Sequence, residues 1–255
     1  MRQLIAGNWK MHGLKAELRE IEAVAAVAAR VPPHVEILIC PPASLLADAA
    51  RTAAGRIAVG GQDCHPEVSG AHTGDVSAEM LKDAGASAVI VGHSERRQNH
   101  CETDALVAKK ALAAKRAGLL AIVCVGETQE QRANGAALTT CGEEIFASVP
   151  RGMTASALAI GYEPLWAIGS GQIPTSQEII HMHAHIRQCL VEHLGAEGKA
   201  VRILYGGSVK PSNARAILAL PEVGGALVGG ASLKSGEFSA IVASAPAVAT
   251  PEAAE

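Results

Sequence analysis

The sequence predicts an α/β protein, a single closed (β/α)8 barrel, and three observations carry that reading. Eight short apolar runs alternate with segments of helical character along 255 residues. Most of these runs are continuously apolar, as strands buried on both faces are. The repeat averages about 32 residues, which suits one strand followed by one helix. An open doubly wound sheet is the competing arrangement, but no G-x-G-x-x-G loop occurs anywhere in the chain to favour it.

In chain order the strand runs are QLIAGNW (3–9), EILICPP (36–42), IAVGGQD (57–63), SAVIVGHSE (87–95), LLAIVCVGE (119–127), ALAIGYEP (157–164), VRILYGGS (201–208) and GALVGGAS (225–232). Between them, ELREIEAVAAVAAR (17–30), TDALVAKKALAAKRAG (103–118) and TSQEIIHMHAHIRQCLVEHLG (175–195) have the clearest helical pattern. The last opens on a capping box, Thr175 with Glu178 three residues on, and reaches a C-cap candidate at Gly195. No internal boundary divides residues 1–242, which are expected to form one barrel domain. The Ala/Pro/Glu-rich stretch 243–255 is expected to fray as a tail.

Composition narrows the function without naming it. Hydrophobic residues make up 49% of the chain and aromatics only 2%, so the core must be built from Ala, Val, Ile and Leu. A net charge of -3 gives no electrostatic case for nucleic acid or an anionic membrane as partner. No run approaches the ~18 apolar residues of a membrane span. The start, MRQLIAGNWK, turns polar too soon for a secretory signal. The six cysteines are scattered with no C-x-x-C pair, which points to reduced thiols in a cytoplasmic protein.

Polar residues collect where the strands end. Asn8 and Lys10 follow the first strand, Gln62 the third, His93 and Glu95 the fourth, Glu127 the fifth, Glu163 the sixth, Ser208 the seventh and Gly229–Gly230 the eighth. A barrel brings these ends to one face, where such folds place their sites. Glu163 closes an apolar strand, and a carboxylate there costs free energy unless it is paired or used. The glycine pairs in YGGSV (205–209) and VGGAS (228–232) let backbone N–H groups approach an oxyanion, and a helix from 231 would add its positive end. That predicts a phosphate site. His181, His183 and His185 lie on one helix, but a metal centre would need a third ligand and a buried second layer, so partly exposed surface histidines and no metal are expected. Cys124 has no base spaced beside it and is expected to pack. Lys10 is the one strand-end lysine that could form a Schiff base, which would leave Glu163 without a role. No cofactor is expected.

NWKMH (8–12), GAHTGDVS (70–77), VGHSERR (91–97), VCVGE (123–127), YEPLWAIGSG (162–171), YGGSV (205–209) and LVGGASL (227–233), in that order, resemble the triosephosphate isomerase family. The likeness runs from residue 3 to about residue 240. It implies a TIM barrel and a cytoplasmic, homodimeric enzyme of glycolysis and gluconeogenesis that interconverts dihydroxyacetone phosphate and glyceraldehyde 3-phosphate. Glu163 would be the base that moves the proton, with a pKa raised by a dry site. His93 would be a neutral electrophile. Lys10, oriented by Glu95, and Asn8 would complete the catalytic set. Gly169, Ser208, Gly229 and Gly230 would hold the phosphate. Pro164, Leu165, Trp166, Ala167, Ile168, Ser170, Gly171, Gln172, Ile173 and Pro174 would form, with Gly169, a closing lid. Loop 63–75 would insert into a twin subunit, with Thr73 at its tip and Asp75 where Glu is common.

The chain departs from the family at Gln172–Ile173–Pro174, where many members have Lys-Thr-Ala. The family tyrosine that matches Tyr205 can bond the amide at the hinge, and Pro174 has no amide to offer. Closure would then lean on Ser208 and the Gly171 amide. An isomerase of another short sugar phosphate, such as a tetrulose phosphate, would use the same catalytic set. An inert sugar-phosphate binder would have no use for a base opposite an electrophile.

Overall fold

The apolar runs form eight parallel strands that close into one barrel, the eighth pairing with the first, in a computed structural model that describes residues 2–168 and 172–246. The strands are β1 (Gln3–Asn8), β2 (Val35–Cys40), β3 (Ala58–Gly61), β4 (Ala88–Val91), β5 (Leu120–Val125), β6 (Leu158–Tyr162), β7 (Arg202–Tyr205) and β8 (Gly225–Val228). Each ends earlier than its sequence run suggests. Pairing stops where the chain turns away over the barrel mouth, so the polar residues that follow sit in loops and helix starts and not on the ladder.

Strand pleating sorts the core into two layers. Along β5, Ile122 and Cys124 point into the barrel, where Leu4, Leu38, Ile90 and Leu204 meet them. Ala121, Val123 and Val125 alternate outward against the helices. Burial pushes the Cys124 thiol up, so it is a packing group, as expected.

The outer layer comprises α1 (Leu18–Val27), α2 (Leu46–Ala53), α3 (Ala78–Asp83), α4 (Ser94–Asn99), α5 (Asp104–Arg116), α6 (Gln129–Ala133), α7 (Ala137–Ser148), α8 (Ser176–Leu194), α9 (Pro211–Leu218) and α10 (Ser235–Ala243). The Thr103 hydroxyl caps α5, and Thr175 and Glu178 form the predicted capping box on α8. The segment 17–30 is an α-helix only over α1, tightened into 3-10 turns at Lys15–Glu17 and Ala28–Arg30. Of the stretch assigned to the tail, Ala243 closes α10, Ala245 is buried, and the Pro246 carbonyl lies 2.9 Å from His34 Nε2. Residues 247–255 lie outside the described residues.

Helix α8 corrects one expectation. His181 is exposed and His185 half-buried, but His183 is fully buried. Its ring meets the rings of Tyr162 and Tyr205, and Nδ1 lies 3.2 Å from the Glu222 carbonyl. Burial pushes its pKa down to about 4, so it stays neutral. A helix presents different residues to different neighbours, and the three histidines share no face that could hold a metal.

A buried ionic cluster ties α4 and α5 to the root of loop 63–75. Lys110 Nζ contacts Asp63 at 2.7 and 2.8 Å and Glu102 at 2.6 Å. Arg96 reaches Glu102 at 2.6 Å and Asp63 at 2.9 Å. Two cations face two carboxylates, so the cluster is neutral as a whole.

Candidate active site

A cavity of about 590 Å³ opens at the C-terminal face of the barrel, lined by Asn8, Lys10, His93, Glu163, Ser208, Gly229 and Gly230. The strand ends thus bring these side chains together from five β-strands. Lys10 sits at the mouth in a left-handed conformation, φ 53°. That is costly for a side chain with a Cβ and persists only where neighbours hold it. The Asn8 side chain accepts from the Lys10 amide at 2.9 Å, and Gln62 Nε2 donates to the Lys10 carbonyl and to that of Cys40, both at 2.8 Å. The ammonium pairs with Glu95 at 2.6 Å. Gln62 stood out in the sequence only as a strand-end polar residue, and its bracing role depends on β1, β2 and β3 lying side by side.

His93 caps α4, and its Nδ1 accepts the Glu95 amide at 3.2 Å. An acceptor nitrogen carries no proton, so the ring's proton is on Nε2 and the imidazole is neutral. Nε2 lies 3.0 Å from Glu163 Oε1. The Ser94 amide donates to Oε2 at 2.9 Å and the Ser94 hydroxyl to Oε1 at 3.1 Å. Burial works to raise the Glu163 pKa, while the His93 N–H and the two Ser94 bonds work to lower it. The expectation of a raised pKa takes account of the burial and not of these donors. The carboxylate is dry but rests on three donors. Ser94 carried no signal beyond its place after His93 in VGHSERR.

The first lid residues are anchored through Glu127. Leu165–Ala167 form a 3-10 turn. Trp166 Nε1 donates to Glu127 Oε1 at 2.8 Å, the Tyr162 hydroxyl to the same oxygen at 3.2 Å, and the Arg132 guanidinium lies 4.3 Å from the centre of the indole. At the far hinge Gln172 and Ile173 are exposed and Pro174 is buried. Gly169, Ser170 and Gly171 lie outside the described residues. Beyond β8, Gly230–Leu233 make a 3-10 turn, and α10 starts only at Ser235. The helix predicted from 231 is this short 3-10 turn, and the extended Lys234 separates it from α10.

Tyr205 is fully buried, and its hydroxyl has no hydrogen-bond partner among the described residues. A Cβ on Gly207 would lie 2.2 Å from that hydroxyl, so only glycine fits beside it. Removing an unpaired buried hydroxyl relieves a desolvation cost. Tyr205→Phe is therefore expected to keep kcat/KM within about threefold and to leave the melting temperature equal or higher. An activity loss above about tenfold (1.4 kcal/mol) would show that the hydroxyl finds a partner during turnover.

Loop 63–75 carries Thr73 and Asp75 on its exposed outer part. His65, His72 and Asp75 bring donor atoms within 4.8 Å of one another. His65 Nδ1, however, accepts the Glu67 amide at 3.1 Å, which puts its proton on Nε2, the atom facing Asp75 at 3.9 Å. A protonated nitrogen offers no lone pair to a metal.

The family model described as triosephosphate isomerase matches residues 3–245. A triosephosphate isomerase of Rhodopseudomonas palustris (strain BisA53) is 57% identical over 249 residues, covering 96% of this chain and 98% of the relative. One of Afipia carboxidovorans is 58% identical over 247 residues, with the same coverage of both chains. The crystal structure of triosephosphate isomerase from Bartonella henselae superposes with a TM-score of 0.90 at 47% identity, covering 96% of this chain and 99% of that one. Its barrel, its strand-end residues and these likenesses place the chain in the triosephosphate isomerase family.

Proposed function

We propose that the site interconverts dihydroxyacetone phosphate and D-glyceraldehyde 3-phosphate by proton transfer through an enediolate. The observation that carries the reading is the facing pair at the cavity wall, a buried carboxylate on Glu163 and a neutral Nε2–H on His93, 3.0 Å apart. Glu163 leaves Ser94, takes a proton from the substrate carbon beside the carbonyl and returns it to the neighbouring carbon. The His93 N–H polarises the carbonyl oxygen, and the Lys10 ammonium steadies the negative charge that grows there and on the phosphate. Ser208 and the backbone at Gly229 and Gly230 receive the phosphate, with Gly169 joining as the lid shuts. Closure excludes water and holds the enediolate until it is reprotonated.

A homodimer through loop 63–75 fits the surface. A second cavity of about 520 Å³ lies on the outer side of Lys10, Met11 and Glu95. Met11 is 94% exposed, Leu14 76% and Val68 50%. Apolar exposure on this scale beside a protruding loop suits burial against a second copy of the chain. Among the described residues no helix is long and apolar enough to cross a membrane, and a cytoplasmic enzyme suits the reduced cysteines.

Initial rates with glyceraldehyde 3-phosphate and with tetrulose phosphates, on one purified sample, test the reading. The expected kcat/KM for the triose approaches about 10⁸ M⁻¹s⁻¹ and far exceeds that for the tetroses. Equal use of a tetrose would transfer the same chemistry to a different isomerase, and absence of turnover would leave an inert binder.

A further inference from the structure

Behind Glu163, away from the main cavity, lies a smaller cavity of about 200 Å³ whose wall includes Ser94, Arg97, Glu144 and Glu163. Glu144 comes from α7 and is half-buried. Its Oε2 accepts the Gly126 N–H at 2.8 Å. That N–H belongs to the Val125–Gly126 peptide. The carbonyl of the same peptide accepts the Glu163 N–H at 2.8 Å. A peptide group is planar and rigid, so Glu144 and the Glu163 backbone are joined through one plate. An acceptor on its N–H also polarises the peptide and strengthens its carbonyl as an acceptor. The two backbones are in contact as well: a Cβ on Gly126 would fall 1.9 Å from the Glu163 carbonyl oxygen, so only glycine allows the approach.

We propose that Glu144 is a positioning residue for the isomerisation, fixing through the Val125–Gly126 peptide the backbone from which the Glu163 carboxylate moves between Ser94 and the substrate. This rests on the reading of Glu163 as the base. A structural role alone would require only that the Gly126 amide be satisfied, for which water in the cavity would serve. Instead a carboxyl group is held in a costly place. Burial pushes its pKa up to about 7, against the pull of Arg97 and the Gly126 amide, while Asp104 and Glu163 add to the rise. The Cys124 and Cys141 thiols also face it. Arg97 offers no direct relief, being bonded to Asp104, Ser148 and the Gly92 and Cys124 carbonyls.

The test compares Glu144→Ala, Glu144→Gln and Glu163→Asp by steady-state kinetics on the full chain. Glu144→Ala is expected to lower kcat about tenfold with KM within about twofold of wild type, because the phosphate site is untouched and only the base loses its anchor. Glu144→Gln keeps an acceptor oxygen in the same place and is expected to recover kcat to within about threefold. Should the alanine variant fail to fold, Glu144→Met keeps the volume without the acceptor and takes its place. Wild-type kcat in the variant lacking the acceptor, an equal loss in the glutamine variant, or a matching rise in KM would each overturn the proposal. If Glu163→Asp itself kept wild-type kcat, the assignment of the base would have failed first, and the two failures are thereby told apart.

Discussion

Glu163→Asp is expected to lower kcat by about two orders of magnitude or more while a phosphorylated competitive inhibitor binds within about twofold of its wild-type affinity. The charge is kept and the reach is lost. Removing one methylene withdraws the carboxylate by over about 1 Å, and a misplacement of that size at a reacting centre costs about a hundredfold or more. The shortened side chain also forgoes the His93 and Ser94 contacts at 2.9–3.1 Å that hold the longer one ready. Inhibitor binding should survive because Ser208, Gly229 and Gly230 belong to other strand ends. Steady-state rates in both directions, with inhibition constants from the same preparations, measure both arms. A kcat loss below about tenfold would remove Glu163 from the reaction.

Lys110→Met is expected to cost about 3–5 kcal/mol of stability. Lys110 is 4% exposed, and its ammonium contacts Asp63 and Glu102, which without it are left to Arg96 alone. A buried charge without its partner loses solvation and gains nothing in return, so breaking the cluster is far worse than never having built it. For a domain of this size the loss corresponds to a fall in melting temperature of roughly 10 °C. The cluster sits at the root of loop 63–75, so dissociation of the proposed dimer on dilution should rise with it. A melting temperature within about 2 °C of wild type would show that Arg96 alone can serve both carboxylates. Lys110→Met combined with Glu102→Leu should recover part of the loss, since one cation then faces one carboxylate.

Much of the barrel was legible because its signals are local. Apolar runs read as strands, Thr103 and Thr175 as helix starts, and the residues after each strand as the chemical face. Each depends on neighbours a few positions away. The errors are equally specific. The run 87–95 extends past its strand, which ends at Val91, so that His93 caps α4 and Glu95 lies in its first turn. The helix expected from 231 starts one residue earlier, at Gly230, and runs only to Leu233. His183 is buried because Tyr162 and Tyr205 cover its face of α8, which no helical periodicity reveals. Gln62, Ser94 and Glu144 gave little sign of a role, because each acts on a distant backbone or carboxylate.

Two features follow from the order of residues alone: eight strand–helix units close into a barrel, and Asn8, Lys10, His93 and Glu163 share one end of it. Hydrophobic periodicity dictates the first, and the common polarity of parallel strands dictates the second. The state of those groups waits on the closed barrel: a left-handed Lys10 paired with Glu95 across 85 positions, a His93 whose proton is on Nε2, and a Glu163 held on Ser94 across 69 positions. Protonation and charge depend on which donors lie within about 3 Å, and those donors meet only when the barrel has closed.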